Sequence, residues 1–374
     1  MKRFVAITIC VFSIISCSED KTVKRAYISE DIMSTNKTIT FNQIGKTLKF
    51  IPLETMQEAQ VGYISCISQT KDRIYVVSAN PDNVFVFSKE GKFIKKISNP
   101  GRGPGEFFSV RQLFIEEDKN LLVLFDLFKI MLFDLDGNHI KDISHIPCYN
   151  NGILLQNNNV LLSKQAVQGI EKLRLAEISQ EGDTLATNKN NFLFNSENPV
   201  VFPVYKSFVK YGKDVIYQQQ FQDTIYTYNQ QTHELDYRYS FDFNRKVSIA
   251  EVFSDLENKT KGLVVIYNYL EDGNYIYLDL YINTARHEMY IISKQDDSYY
   301  KTDFRYSNDL NLKFYPKWTS GDAFIDYVDM SHMNYTEKNI DSTRMAFAGF
   351  LASKGCKNTE SLDEFSNPVI VIAE

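Results

Sequence analysis

Several things are scarce in this sequence, and each scarcity removes a class of function. No long run of lysine or arginine occurs, and the 374 residues sum to a formal charge of −6 with an isoelectric point near 5.6. Nucleic acid is therefore not expected as a partner, because phosphate binding needs a clustered positive field. Histidine appears only as His139, His145, His233, His287 and His332, never at the i, i+4 spacing of a helical zinc site. Cys-x-x-Cys is missing too, so no metal site and no cofactor is expected from local motifs. A Gly-x-Ser-x-Gly elbow is also absent, which leaves a serine hydrolase without support. Glycine and proline are few, at 16 and 9, yet three glycines and one proline crowd into Gly101-Arg102-Gly103-Pro104-Gly105-Glu106-Phe107. No Gly-Lys follows and strand-type residues come next, so this is not a phosphate loop. It reads as a crossover where the chain turns sharply and passes close to other backbone.

What is plentiful is aromatic: 23 Tyr and 27 Phe make most of a 14% aromatic content. Such residues suit pleated, half-buried surfaces, so the composition leans toward sheet. An apolar fraction of 44% gives ample material for a core.

The N-terminus is an address. Met1-Lys2-Arg3 precedes an apolar run, Phe4 to Ile15, that is too short for a bilayer span of roughly 20 residues. It ends in Ile14-Ile15-Ser16-Cys17, which resembles a bacterial lipobox, with Ile14 and Ser16 as permissive departures. The resemblance implies cleavage after residue 16 and acylation of Cys17, giving a membrane partner through several acyl chains. Ser18-Glu19-Asp20-Lys21 resembles the acidic surface-export signals of some Gram-negative lineages, and the polar stretch to about Asn36 is expected to be a tether. The expected divisions are thus signal peptide 1–16, anchor and tether 17–36, and one domain over 37–374. With Cys10 and Cys17 set aside, Cys66, Cys148 and Cys356 remain, an odd number that gives no disulfide framework. Cys66 is expected to be a small buried hydrophobe.

Self-comparison shows a repeat. Asp72–Val77, Asn83–Phe87 and Phe93–Ile97 are echoed by Lys119–Leu124, Ile130–Phe133 and His139–Ile143; Gly91 to Gly137 and Ile97 to Ile143 are both 46 positions. Leu175–Ile178 with Asp183–Leu185 begins a third copy, and Gly137 to Gly182 is 45. Weaker copies run through Asp214–Tyr217, Thr224–Tyr228 and Glu234–Phe243, then Tyr275–Leu278, Met289–Ile292 and Ser298–Phe304. A sixth combines Ala323–Val328 with Pro368–Ile372 and lacks an outer strand, which Lys37–Leu53 can supply. The expected fold is all-β: a six-bladed β-propeller of four-stranded antiparallel blades, its ring closed by the N-terminal strand in the C-terminal blade. Two short helical insertions are expected, one from the capping box Ser248–Glu251 with Ile249, Val252, Phe253 and Leu256 on one face, the other from Asp341 to Gly355.

Lys49-Phe50-Ile51-Pro52-Leu53-Glu54-Thr55, Val61-Gly62-Tyr63-Ile64, the Gly101–Phe107 run and Asn367-Pro368-Val369-Ile370-Val371 together resemble the bacterial six-bladed β-propeller lipoproteins related to NHL-repeat propellers. The resemblance implies a lipid-anchored cell-envelope propeller, on the outer membrane at its periplasmic side or the cell surface. It supplies no catalytic residues.

Local chemistry remains sparse. Asp134-Leu135-Asp136-Gly137-Asn138 fails as a calcium loop, since His139 and His145 stand where Gly and Glu are required; a turn between outer strands is expected. His233 falls at a turn and is expected on the solvated surface. Asp126, at the end of a strand, is a candidate for a channel-mouth carboxylate. Arg102, Glu106 and Arg111 are candidate binding residues on the blade junction, against a structural alternative in which a local salt bridge holds the crossover. Tyr299, Tyr300 and Tyr306 are candidates for stacking on sugars or protein. The function expected is a non-catalytic binding or scaffolding module for an envelope protein or glycan. The alternative is a metal-dependent, lactonase-like hydrolase or lyase using the channel.

Overall fold

A computed structural model of the chain describes residues 25–374 except 80–81, 145–148, 150, 165–169, 192, 194–205, 220, 244–263, 283–285, 307–309, 311, 332–339, 358 and 360–361. The repeat becomes six sheets, each an antiparallel blade. Blade 1 comprises Tyr63–Gln69, Arg73–Ala79, Asn83–Ser88 and Phe93–Ile97. Blade 2 comprises Val110–Glu116, Leu121–Asp126, Lys129–Phe133 and His139–Ser144. Blades 3, 4 and 5 begin their innermost strands at Asn151, Phe208 and Val264 and end their outer strands at Lys189, Asp242 and Thr302. Blade 6 takes Trp318–Ser320, Ala323–Val328 and Val369–Ala373 from the C-terminal part and Leu48–Pro52 from the N-terminal part.

Burial follows position in the blade. The second strand of blade 1, Arg73–Ala79, is buried over five consecutive residues because neighbouring blades cover both of its faces. The outer strand Phe93–Ile97 alternates, with one face meeting solvent. Ring closure is antiparallel, pairing Ile370 with Ile51 and Val371 with Phe50, and Thr47 and Glu374 exchange backbone bonds of 2.8 and 3.0 Å beyond the strand ends. Val369–Ala373 is fully buried, each large side chain contributing about 1.5–3 kcal/mol.

Each pair of adjacent blades is also latched near the channel. Cys66 Sγ lies 3.8 Å from the Leu113 carbonyl, so the buried thiol expected from the sequence joins blades 1 and 2. Gly152 N donates to Gln112 Oε1, Ser163 Oγ to Ser207 Oγ, and Gln218 Nε2 to the Ile266 carbonyl. Asn268 Nδ2 donates to the Pro316 carbonyl and Ser320 Oγ to the Gln69 carbonyl, the last across the closure. The latching side chains are of four types over six junctions, so they leave no repeating signature.

Part of the stretch expected as a tether has regular structure. Arg25–Ile28 pairs in parallel with the outer strand of blade 4, Ser29–Met33 is a short helix, and Thr38–Ile39 pairs in parallel with the outer strand of blade 5. Ile32 is fully buried, Tyr27 stacks on Phe241 at 5.6 Å, and Phe41 on Phe304 at 4.0 Å. The segment is a strap that covers two sheet edges before closing the third, which protects them from pairing with other chains. Its polar residues face outward around a few aromatic anchors, so composition alone made it look like a linker. The expected signal peptide, Cys17 and the rest of the expected tether lie outside the described residues, as does the helix expected after Ser248. The other expected helix is present as Ile340–Ser353, with Gly355 following at φ +77°.

Candidate functional site

The Gly101–Phe107 run joins the last strand of blade 1 to the first of blade 2. Phe107 N donates to the Asn99 carbonyl at 2.7 Å and its ring is buried in the blade 1–2 core. Two glycines are required. Gly101 has φ +155° and a Cβ there would stand 1.9 Å from Glu106 Oε2; Gly105 has φ +69° and its Cβ would meet the His139 ring at 2.7 Å. Lys129 Nζ donates to the Gly103 carbonyl at 2.5 Å and to Asp142 at 2.7 Å, while Gly105 N donates to the same carboxylate. Burial opposes the ionised form of Asp142, but the bonds from Lys129, His139 and Gly105 hold it below the usual carboxylate range.

Of the candidate binding residues, Glu106 accepts from Gly103 N at 2.8 Å, satisfying the loop's own backbone; no ion pair joins it to Arg102. Arg102 instead stands over two rings, 5.9 Å from Phe108 and 6.0 Å from Phe128. Arg111 is exposed on the channel wall. Asp126 accepts from Phe108 N at 3.0 Å and Ser109 N at 2.8 Å, anchoring the loop that presents Phe108.

These residues gather at one end of the channel, where the innermost strands begin; we call this the upper face. Tyr63, Phe108 and Phe128 are 62%, 54% and 55% exposed there, with Leu127 beside them. Below them the channel widens into a cavity of about 1590 Å³ bordered by the innermost strands of the blades. Aromatic side chains dominate its upper wall: Tyr63, Phe108, Tyr267, Tyr315, Trp318 and Tyr327. Burial pushes the Tyr267 and Tyr327 hydroxyls up to about 12, so both stay neutral donors.

Lys206 precedes the innermost strand of blade 4, yet its ammonium lies 5.1 Å from the centre of the Trp318 ring in blade 6. It crosses the channel to a place where Cys66 and Lys317 act on its charge. Desolvation lowers its pKa to about 7, Cys66 opposing and Lys317 adding to that shift. The lower end is different in kind: Lys210 of blade 4 pairs with Glu116 of blade 2, closing charge on charge.

All the acids of the cavity but the exposed Asp322 are engaged internally. Besides Asp126, Asp82 accepts from Val110 N at 2.6 Å, Glu271 is paired with Arg238, and Asp279 lies 3.2 Å from His287. Among the described residues no three His, Cys, Asp or Glu side chains are placed to hold a metal ion. The Asp134–Asn138 segment is the expected turn, its Asp134 carboxylate accepting from Asn138 N and Nδ2, both at 2.8 Å.

One expectation about exposed residues needs correction. Tyr306 is buried and donates to Asp326 at 2.7 Å, so it cannot stack on a ligand; Tyr299 and Tyr300 are half-buried against the core. His233 is at a turn with its side chain 41% exposed, as expected, and its Nδ1 also lies 2.8 Å from the buried Glu177 carboxylate of blade 3. Lys206 and the aromatic wall were not singled out in the sequence. They come from five different blades, and only the uniqueness of Trp318 could have drawn attention to any of them.

Fold and site define a six-bladed β-propeller with an aromatic upper mouth. The chain belongs to the family described as a domain of unknown function, DUF4934, whose model matches residues 25–374. That range begins where the strap begins. No curated protein matches the sequence. Among solved structures, a Bacteroides fragilis protein inferred to be exported is similar at 16% identity, covering 93% of this chain and 98% of that one with a TM-score of 0.67. A DUF4221 family member from Bacteroides vulgatus shares 10% identity over 68% of this chain and 84% of that one, at a TM-score of 0.45. The first likeness bears on the fold alone. No helix among the described residues is long and apolar enough to cross a membrane.

Proposed function

We propose that this chain is a non-catalytic binding or scaffolding module of the cell envelope that docks a protein or glycan partner on its upper face. The observation that carries the reading is the ring of exposed Tyr63, Phe108 and Phe128 with Arg102 over two of them, set around an open cavity. Aromatic and arginine side chains on a rigid frame are the usual energetic centres of recognition surfaces. A hydrolase using the channel would need acids gathered to bind metal or move protons, whereas Asp82, Asp126, Glu116, Glu271 and Asp279 bind backbone amides, arginine, lysine and histidine of the frame, which leaves the exposed Asp322 alone. In the same reading Cys17 is the acylated anchor in the outer membrane, and the short segment between Cys17 and Arg25 spans at most about 25–30 Å. The propeller is then held close to the bilayer by the rim of blade 4, where the strap begins.

The test is capture of partners from envelope extracts, together with glycan arrays, using the acylated chain and a Phe108→Ala/Phe128→Ala variant. A partner retained by the first and lost by the second supports the reading; silence in both assays overturns it. Cys17→Ala should move the protein from the membrane to the soluble fraction, and unchanged fractionation would remove the anchor.

A further inference from the structure

We propose that the upper half of the channel is a binding site for an anionic sugar, its carboxylate or sulfate met by Lys206 and its ring lying on the aromatic wall. The inference deepens the recognition reading above and rests on it.

Four observations lead there. Lys206 reaches from blade 4 across the cavity to Trp318 of blade 6, so its ammonium is presented to the lumen. Among the described residues no carboxylate pairs with it; it stands over the Trp318 ring, within electrostatic reach of the Cys66 thiol and a second cation, Lys317. Lys317 does have a carboxylate, Asp326 at 3.0 Å, and also lies 4.1 Å from the Tyr327 ring. The cavity acids Asp82, Asp126, Glu116 and Glu271 are each held by donors of the frame.

Two cations of the upper cavity, Lys206 and the exposed Arg111, have no carboxylate partner among the described residues. An ammonium removed from water and given no anion is costly, and a ligand anion restores what burial withdrew. Tyr267, Tyr315, Trp318 and Tyr327 line the same space, with Trp318 and Tyr327 stacked on each other at 5.9 Å between Lys206 and Lys317, and aromatic rings pack well on the C–H faces of sugars. Their hydroxyls add neutral donors. A cavity of about 1590 Å³ accommodates more than one sugar ring.

Binding should take up a proton near neutrality, because the amine is only partly charged there when empty. The groups that face it are Cys66 from blade 1, Lys317 and Trp318 from blade 6, with Arg111, Asp279 and His287 elsewhere on the wall. Only protonated Lys206 meets the anion, so affinity should fall on the order of tenfold between pH 6.5 and pH 8.5.

The experiment is calorimetric titration of the protein with glucuronate, glucose 6-sulfate and glucose at those two pH values, repeated on Lys206→Met and Lys206→Arg. The expected result is that both anions bind more tightly than glucose, that K206M abolishes the preference, and that K206R keeps it without the pH dependence. Preference for one anion alone assigns the source as uronic acid or sulfate ester. Nitrogen-detected titration of Lys206 in the unmodified protein, where glucuronate should raise its pKa, serves if the variants do not fold. Equal binding of glucose and the anions, or a preference or pH dependence that survives in K206M, overturns the inference and leaves the docking face intact. No binding of any of the three sugars also overturns it, whereas failure of the docking reading would appear as silence in the capture and array assays.

Discussion

The junction between blades 1 and 2 and the junctions around blade 4 solve the same packing problem with different chemistry. Between blades 1 and 2 the seam is apolar: Val76, Phe85, Leu113, Leu124, Met131 and Phe133 belong to one buried cluster. Around blade 4 the seams keep an apolar part, with Leu161 and Leu175 of blade 3 against Phe208 and Val215, but add buried polar sets. Glu177 of blade 3 is fully enclosed and accepts from Tyr228 and, at 2.6 Å, from Asn159, with His233 at 2.8 Å. Arg238 of blade 4 is paired with Glu271 of blade 5 and with Asp214 at 2.7 Å, and Tyr269 donates to the same Glu271. An apolar seam tolerates many residues of similar volume, so it can repeat; a buried polar seam works only as a complete set of partners.

The difference predicts unequal responses to mutation. The largest should come from Arg238→Ala, which leaves Glu271 buried with only Tyr269 and the more distant Lys294, and should cost about 3–5 kcal/mol in denaturant unfolding. Phe107→Ala, in the apolar seam, should cost a similar ~3–5 kcal/mol through the cavity it leaves. The two should separate under Arg238→Met/Glu271→Leu, which removes both charges and should recover much of the stability lost by Arg238→Ala. If the paired replacement is no better than the single one, the polar seam is not governed by unsatisfied charge.

Gly105→Ala should be next, about 1–3 kcal/mol, since the left-handed backbone and the His139 ring both oppose a Cβ. Tyr228→Phe should cost about 1–2 kcal/mol and carry a pH signature. Burial opposes ionised Glu177, but its hydrogen bonds from Tyr228, Asn159 and His233 hold it below the usual carboxylate range. A depressed carboxylate contributes stability above its unfolded pKa and loses it as pH falls through the folded one. Tyr228→Phe should therefore narrow the stability gap between neutral and acid solution, measured by urea midpoints across pH 3–7. Smallest of all, Arg102→Ala should leave stability within about 0.5 kcal/mol, because its contacts are two exposed rings.

The same contrast explains what could be read in the sequence. Blades 1 and 2 were legible strand by strand because their seam is built of repeated Val, Ile, Leu and Phe with glycine at matching turns, Gly91 and Gly137 both at positive φ. Ring closure was legible because Leu48–Pro52 had strand character and the last repeat lacked a partner. Blades 3 to 5 were faint since Glu177, Arg238 and Glu271 replace apolar residues at seam positions and leave no period. The strap was missed because two parallel pairs of short length carry no alternation of their own. The upper mouth was half legible: Arg102 and Arg111 were found through the glycine-rich run, but Lys206 and Trp318 are brought together only by closing the ring.

The upper and lower ends of the channel offer the most direct test of the central claim that recognition belongs to the upper face. Partner capture from envelope extracts should be compared for the unmodified chain, Phe108→Ala/Phe128→Ala at the upper mouth, and Glu116→Gln/Lys210→Met at the lower. Loss in the upper variant with retention in the lower one is the predicted result. Retention in the upper variant with loss in the lower would place the partner on the opposite face and contradict it.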